Sequence, residues 1–347
     1  MECNGPHISI PMIDVLKAFA DYKELHGTPP VAGNELTFHV NMPTTNYLQE
    51  VIKEYSFPLY SPRSFNDPLL ELIEKGRNCN SSIIYDFIIY HHTHRIISQY
   101  LNNIPETTLQ IGPGGSLGCE ILLALMGVQQ ACTLDLCPRM DFDLDHFMKS
   151  LGTIFEIITW LKGIKHFDPS GLNIPPYQAV NGCYQIGDSI VKHFCPRAFE
   201  NTDLEEESID LLFSFSVLEH VRDPLKCIQE TRRLLRPGGL TAHGIDLRDH
   251  RNFKKPLEFL RWSPDAWERI MEKYCEEDAG NYLNRWRANE FKAAFEQEGF
   301  SVLEYEVHTK VSDAEISAGM NHFHRDYRQF SKEDLAITGI FMVARKN

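Results

Sequence analysis

The sequence predicts an α/β protein organised as a doubly wound, mostly parallel sheet, and three stretches carry that expectation. Residues 107–138 read as a strand, a glycine-rich turn, a helix and a second strand that ends in an acid. Residues 209–216, Ile-Asp-Leu-Leu-Phe-Ser-Phe-Ser, have the near-continuous apolar character of a strand covered on both faces. A Leu-Arg-Pro-Gly-Gly turn at 235–239 then leads into a further apolar strand at 240–246. Strands alternating with helical stretches in this way place the connections on both faces of a parallel sheet.

The first stretch also carries the chemistry. Leu109, Gln110 and Ile111 run directly into Gly112, Pro113, Gly114, Gly115, Ser116, Leu117 and Gly118, and a helix from about Cys119 to Met126 stops at Gly127. Glycines let backbone approach a ligand, helix N-terminal N–H groups point at its polar atoms, and an acid about 20 residues onward accepts ribose hydroxyls. Asp135 is that acid, and the pattern implies adenosine binding. Dinucleotides and S-adenosylmethionine both fit so far. A dinucleotide fingerprint would need a third glycine where the chain has Leu117, so the strict nicotinamide pattern fails by one residue.

Beyond residue 216 the chain continues through Val217, Leu218, Glu219, His220 and Val221, then Asp223 and Pro224 open a helix. With the glycine loop and the Leu-Arg-Pro-Gly-Gly turn, these residues resemble the class I S-adenosylmethionine-dependent methyltransferases, over about residues 107–347. The resemblance implies a Rossmann-like seven-stranded sheet with an antiparallel last strand between strands five and six. It implies S-adenosyl-L-methionine as cofactor, S-adenosyl-L-homocysteine as product, and a small-molecule methyl acceptor. It also assigns a cofactor site: Gln110 in place of the usual acid toward the methionine amino group, Gly112, Gly114 and Gly115 in the loop, Asp135 and Leu136 at the ribose, Asp188 and Ser189 at the adenine, and Ser214 and Phe215 at the end of strand four. Tyr184, Gln185 and Ile186 are then the third strand, ending at Gly187 and Asp188.

Composition sets the bounds. A chain of 347 residues, 43% hydrophobic and 24% charged, has the make-up of a globular protein with a full core. No apolar run reaches membrane-spanning length and residues 1–11 lack a signal-peptide pattern, so a cytoplasmic protein is expected. Nine cysteines without paired spacing argue against a disulfide framework. A formal charge of −14 opposes binding to nucleic acid or to anionic membranes. A homodimer is compatible with everything above.

Residues 1–105 read as a helical cap or substrate lid, ending in an apolar helix over 82–101 that carries His91, His92 and His94. Residues 106–347 form the core, with insertions at about 141–180 and 251–288. The first contains a helical stretch from Phe147 to Leu161. The second mixes Trp262, Trp267, Tyr274, Tyr282 and Trp286 with Arg261, Arg285 and Arg287, which suits either a ring-shaped substrate or buried anchors of a cap.

The expected reaction is transfer of the methyl group to an oxygen or nitrogen of a small biosynthetic metabolite. An alcohol needs a base to accept its proton, and histidine suits that task near neutral pH. His220 just past strand four and His250 beyond strand five are the catalytic candidates, whereas His243 within strand five reads as a silent core residue. A divalent metal held by Asp246, Asp249 and His250 is the less favoured alternative. The rival readings are a nicotinamide-dependent oxidoreductase and a non-catalytic binding subunit with a degenerate methyltransferase fold.

Overall fold

The computed structural model describes residues 81–148, 174–276 and 278–347. Its strands are β1 (Thr107–Ile111), β2 (Gln130–Leu134), β3 (Tyr177–Val180), β4 (Cys183–Ile186), β5 (Ser189–Phe194), β6 (Ile209–Phe215), β7 (Leu235–Asp246), β8 (Phe300–Lys310) and β9 (Ile337–Lys346). They form one nine-stranded sheet in the order β3-β4-β5-β2-β1-β6-β7-β9-β8. Strands β5, β2, β1, β6 and β7 are parallel to one another. Strand β9 runs antiparallel between β7 and β8, where the resemblance puts it.

The expected seven strands are therefore present as β5 to β8 in that order, and the count differs because β3 and β4 extend the edge. They are an antiparallel hairpin turned by Asn181 and Gly182, both at positive φ (50° and 77°), the combination that a two-residue primed turn requires. A second tight turn at Gly187 (φ 57°) and Asp188 reverses the chain again into β5. The third parallel strand is thus Ser189–Phe194, in register with β2 from Gln130↔Ile190 to Leu134↔Phe194, and not Tyr184–Ile186 as expected.

The helices are α1 (Ser81–Tyr100), α2 (Gly118–Met126), α3 (Pro224–Leu234), α4 (Pro264–Tyr274), α5 (Ala288–Gln297), α6 (Asp313–Gly319) and α7 (Lys332–Ala336). The ends of α2 and α3 show local causes. In α2, Gly127 takes the left-handed conformation and its N–H, with that of Val128, closes onto the carbonyls of Ala124 and Leu123. In α3, the Asp223 carboxylate accepts from the Lys226 N–H at 3.1 Å, Pro224 opens the first turn, and Arg232 and Arg233 stand in the last.

Two apolar layers sandwich the sheet, and β9 shows the period-2 division between them. Phe341 and Val343 join α1 and α2 on one face, while Ile340, Met342 and Ala344 join α3 and α5 on the other. Helix α1 is fixed to the sheet by Ile89, Tyr90, Ile96 and Ile97, and by a bidentate Arg95–Glu304 pair at 2.9 Å that reaches β8. Residues 1–80 of the expected cap, and the helix expected at Phe147–Leu161 beyond Met148, lie outside the described residues.

The 251–288 insertion has its own apolar cluster, in which Leu257, Phe259, Leu260, Trp267 and Met271 meet Ile316, Phe323 and Leu335. Its arginines serve this cluster. The Arg285 guanidinium donates to the carbonyls of Phe259 and Trp262 (3.1 and 2.8 Å) and lies 5.0 Å from the Trp267 ring centre. Arg287, fully buried, donates to the carbonyls of Leu247 and Leu335. Trp267 itself donates to the Leu283 carbonyl at 2.7 Å. Of the two readings of this aromatic-arginine mixture, these residues are the buried anchors.

Candidate active site

The parallel strands deliver the glycine loop, Asp135 and the segment after β6 to one edge of the sheet, the edge at which such sheets bind ligands. Gly112 follows β1, has φ +64°, and donates its N–H to the Leu134 carbonyl at 2.8 Å. A Cβ there would stand 2.5 Å from Val217 Cγ2, so the loop closes tightly against the segment after β6. Gly114, at φ +74°, faces open space with nothing within 4 Å of a Cβ. That is the approach surface a ligand needs. Ser116, standing where a further glycine is usual, donates its hydroxyl to Asp86 at 2.6 Å and so ties the loop to α1.

Asp135 directly follows β2. One of its carboxylate oxygens accepts from the Cys137 N–H at 2.8 Å, a turn contact that orients the carboxylate. Leu136 beside it is 47% exposed, an apolar surface adjacent to that carboxylate. Gln110 is buried in β1, and its Oε1 has no hydrogen-bond partner. A buried orphan acceptor needs a donor, and the amino group of a methionine moiety is one. Open space at Gly114 and an orphan acceptor at Gln110 both fit the cofactor.

Four residues expected at the cofactor stand elsewhere. Asp188 occupies the turn before β5, level with Gln130 at the start of β2, whereas Asp135 follows its end. Five residues of strand, roughly 16 Å, separate the two levels. Ser189 is buried and donates to the Ala124 carbonyl at 3.3 Å. Ser214 is fully buried with its hydroxyl 2.8 Å from His243 Nδ1. Phe215 stacks on Phe341 in the core, with ring centres 6.3 Å apart. Asp188 stands at that level because Cys183–Ile186 pairs antiparallel with β5, and Ser214 and Phe215 are buried because alternate residues of β6 point into the two apolar layers.

His220 and His250 are brought together, with ring centroids 4.9 Å apart. His220 follows β6 in a turn closed by its own N–H to the Val217 carbonyl, and its Nδ1 lies 2.8 Å from the Tyr282 carbonyl. A carbonyl accepts only, so Nδ1 carries the hydrogen and Nε2 keeps its lone pair. Burial and then the neighbouring His250 pull the His220 pKa down to about 4, which keeps this ring neutral. His250 Nε2 is 2.9 Å from Asp246 Oδ2. Burial raises the Asp246 carboxyl, but His250 and Arg248 outweigh it and hold the group below its ordinary value.

The expected carboxylate pair does not converge. Asp246 is engaged by the Arg248 guanidinium at 3.0 Å and Asp249 by that of Arg251 at 2.6 Å. Glu219 stands with the histidines instead. It is 3% exposed and accepts from the Asp246 N–H at 3.2 Å through one oxygen and from the Ser216 side chain. Burial, with the Asp246 charge adding to it, pushes its pKa well up. Residue type and adjacency to His220 were the available sequence signals for Glu219.

The second insertion reaches this edge. Asp278 forms an ion pair with Arg139 and accepts from the Cys137 thiol at 3.3 Å, bridging to the loop after Asp135, while Tyr282 supplies the carbonyl facing His220. Neither bridge could be found without knowing which loops meet. His243 lies fully buried between the Ser214 and Thr241 hydroxyls, as expected of a core residue. His92 and His94 are buried on α1 beside Phe215 and Tyr90. The His91 side chain lies outside the described residues.

The family model for a methyltransferase domain matches residues 178–242, from β3 into β7. Over those residues the chain is similar to a methyltransferase domain, and its sheet order is the one that the resemblance implies. No curated protein matches it in sequence. Among solved structures, the S-adenosylmethionine-dependent methyltransferase from Mesorhizobium loti is 15% identical, with 73% of this chain and 96% of that one covered and a TM-score of 0.39. Phosphoethanolamine N-methyltransferase 2 from Haemonchus contortus, in complex with S-adenosyl-L-methionine, is 14% identical, with 74% and 52% covered and a TM-score of 0.37. Among the described residues, no helix is long and apolar enough to cross a membrane.

Proposed function

We propose that the enzyme transfers the methyl group of S-adenosylmethionine to a hydroxyl oxygen of a small biosynthetic metabolite. The observation that carries this reading is the imidazole pair of His220 and His250, 4.9 Å apart, standing just after the Val217 segment against which Gly112 closes. Displacement at a sulfonium carbon is governed by alignment of nucleophile, carbon and sulfur and by exclusion of water. Gln110, the glycine loop and Asp135 would hold the cofactor, and the 251–288 insertion would shield the edge. What remains is to take the proton from the acceptor. The neutral His220 ring, oriented through Nδ1 by a backbone carbonyl, presents Nε2 for this, and His250 is its partner.

Transfer to nitrogen is the second reading, since an amine already carries a lone pair and needs no strong base. Two features stand against the nicotinamide alternative: Leu117 replaces the third glycine of the fingerprint, and the family match is to a methyltransferase domain. The test is incubation of the protein with methyl-labelled S-adenosylmethionine and metabolite pools separated into hydroxylated and amine fractions. Label entering the hydroxylated fraction, and lost on His220→Ala, supports the proposal. Label confined to amines, or cofactor binding with no transfer to any pool, contradicts it, and the latter outcome points to a binding subunit.

A further inference from the structure

The candidate edge holds three metal-ligating side chains that the methyl-transfer reading does not use together. Glu219, His220 and His250 each offer one ligand atom, and these atoms lie within 4.8 Å of one another. An ion about 2.0–2.2 Å from each ligand holds them roughly 3–4 Å apart, so modest side-chain rotation closes the set. They are the cluster of this kind among the described residues.

Three independent features favour an ion there. Glu219 is 3% exposed, and its carboxylate, which accepts from the Asp246 N–H and from Ser216, stands next to a second carboxylate, that of Asp246. Two buried carboxylates side by side are costly, and a cation offsets that cost. His220 is oriented as metal-bound imidazoles are, with Nδ1–H on the Tyr282 carbonyl and Nε2 left for coordination. His250 is backed by Asp246 at 2.9 Å, the carboxylate–imidazole arrangement that fixes ligating histidines, and Asp246 is in turn held by Arg248. Asp246 and Asp249, which the sequence offered as ligands, act as supports or belong to arginines.

We propose that Glu219, His220 and His250 form a three-ligand site for a divalent first-row transition-metal ion, whose remaining positions take an acceptor with two adjacent oxygen donors. Two imidazoles and one carboxylate suit zinc, manganese, iron(II) or cobalt better than calcium or magnesium, which favour all-oxygen sets. Three protein ligands leave positions open, as catalytic rather than structural sites do. The acceptor part of the proposal rests on the methyl-transfer reading, since a bound cation would lower the acceptor hydroxyl's pKa and replace a free base. The ion site itself rests on the side chains alone.

The test uses the full chain stripped by chelator and titrated with cobalt(II) or zinc(II) alone, without cofactor. The expected result is one equivalent bound, visible absorption from cobalt with nitrogen and oxygen ligands, and affinity at least about tenfold weaker in His250→Ala and in Glu219→Gln. Cofactor affinity is measured in parallel on the same samples. No saturable binding by the stripped wild type, or wild-type affinity in both variants, overturns the site. Should Glu219→Gln fail to fold by circular dichroism, His250→Ala decides, because that side chain is 17% exposed. Ion binding without cofactor binding leaves the site standing and removes the methyltransferase reading, and cofactor binding without ion binding does the reverse.

Discussion

His220 and His250 stand with ring centroids 4.9 Å apart although 30 positions separate them in sequence, because β6 and β7 are parallel neighbours and each ring follows the end of its strand. Groups that act as one unit do not lose activity additively. His220→Ala and His250→Ala should each lower kcat by about 10²- to 10⁴-fold, and the double variant should lose little more than the worse single one. Full single-turnover kinetics on all three check this. Losses that multiply would show two independent roles.

The two loop glycines should respond differently to the same change. Alanine at either position meets a left-handed backbone, a cost of about 1–2 kcal/mol. At Gly112 the added carbon also lies 2.5 Å from Val217 Cγ2, whereas at Gly114 it enters open space. Gly112→Ala should therefore lower Tm more than Gly114→Ala, and Val217→Ala should restore part of the loss. Gly114→Ala should keep its stability better while still impairing cofactor binding. Equal thermal shifts with no rescue would contradict this description of the loop.

Burial pulls the His243 pKa down to about 3, so this ring is neutral in the folded protein and free to protonate only when unfolded. The unfolded chain, with a histidine pKa near 6.5, then binds the extra proton, and stability from this residue falls as pH drops from about 6.5 toward 3. Between pH 7 and 5 the loss is about 2 kcal/mol. Comparing denaturant midpoints of wild type and His243→Gln at those two pH values isolates the contribution. The variant should show the shallower decline. Identical slopes would contradict the assignment.

Much of the core was legible because its signals are local. Leu109–Ile111 followed by glycines, Asp135 at a strand end, and the 209–216 run each announce their structure within a few residues. The third strand was not, and the reason is specific. Asn181-Gly182 is a strong hairpin signal, and it makes Tyr184–Ile186 the return arm of a hairpin rather than the expected parallel strand, with Asp188 in the turn that follows. That one turn puts Asp188 at the opposite end of β2 from Asp135. Glu219 and the Tyr282 carbonyl belong to a different category, since their partners come from β7 and from the 251–288 insertion and depend on which loops the fold brings together.

The position of Asp188 gives a prediction of its own. Because it lies in the β4–β5 turn, Asp188→Ala should leave S-adenosylmethionine affinity unchanged, within twofold, at any salt concentration. A larger loss measured by calorimetry would mean that the adenine reaches that end of the sheet.

The most direct measurement is a calorimetric titration of the wild type and of Asp135→Ala with S-adenosylmethionine and, separately, with NAD. Saturable one-to-one binding of S-adenosylmethionine is expected, with none of NAD and a loss of about ten- to a hundredfold in the variant, the scale of one charge-assisted ribose contact. Binding of NAD instead, or S-adenosylmethionine affinity unchanged by Asp135→Ala in a folded variant, would contradict it.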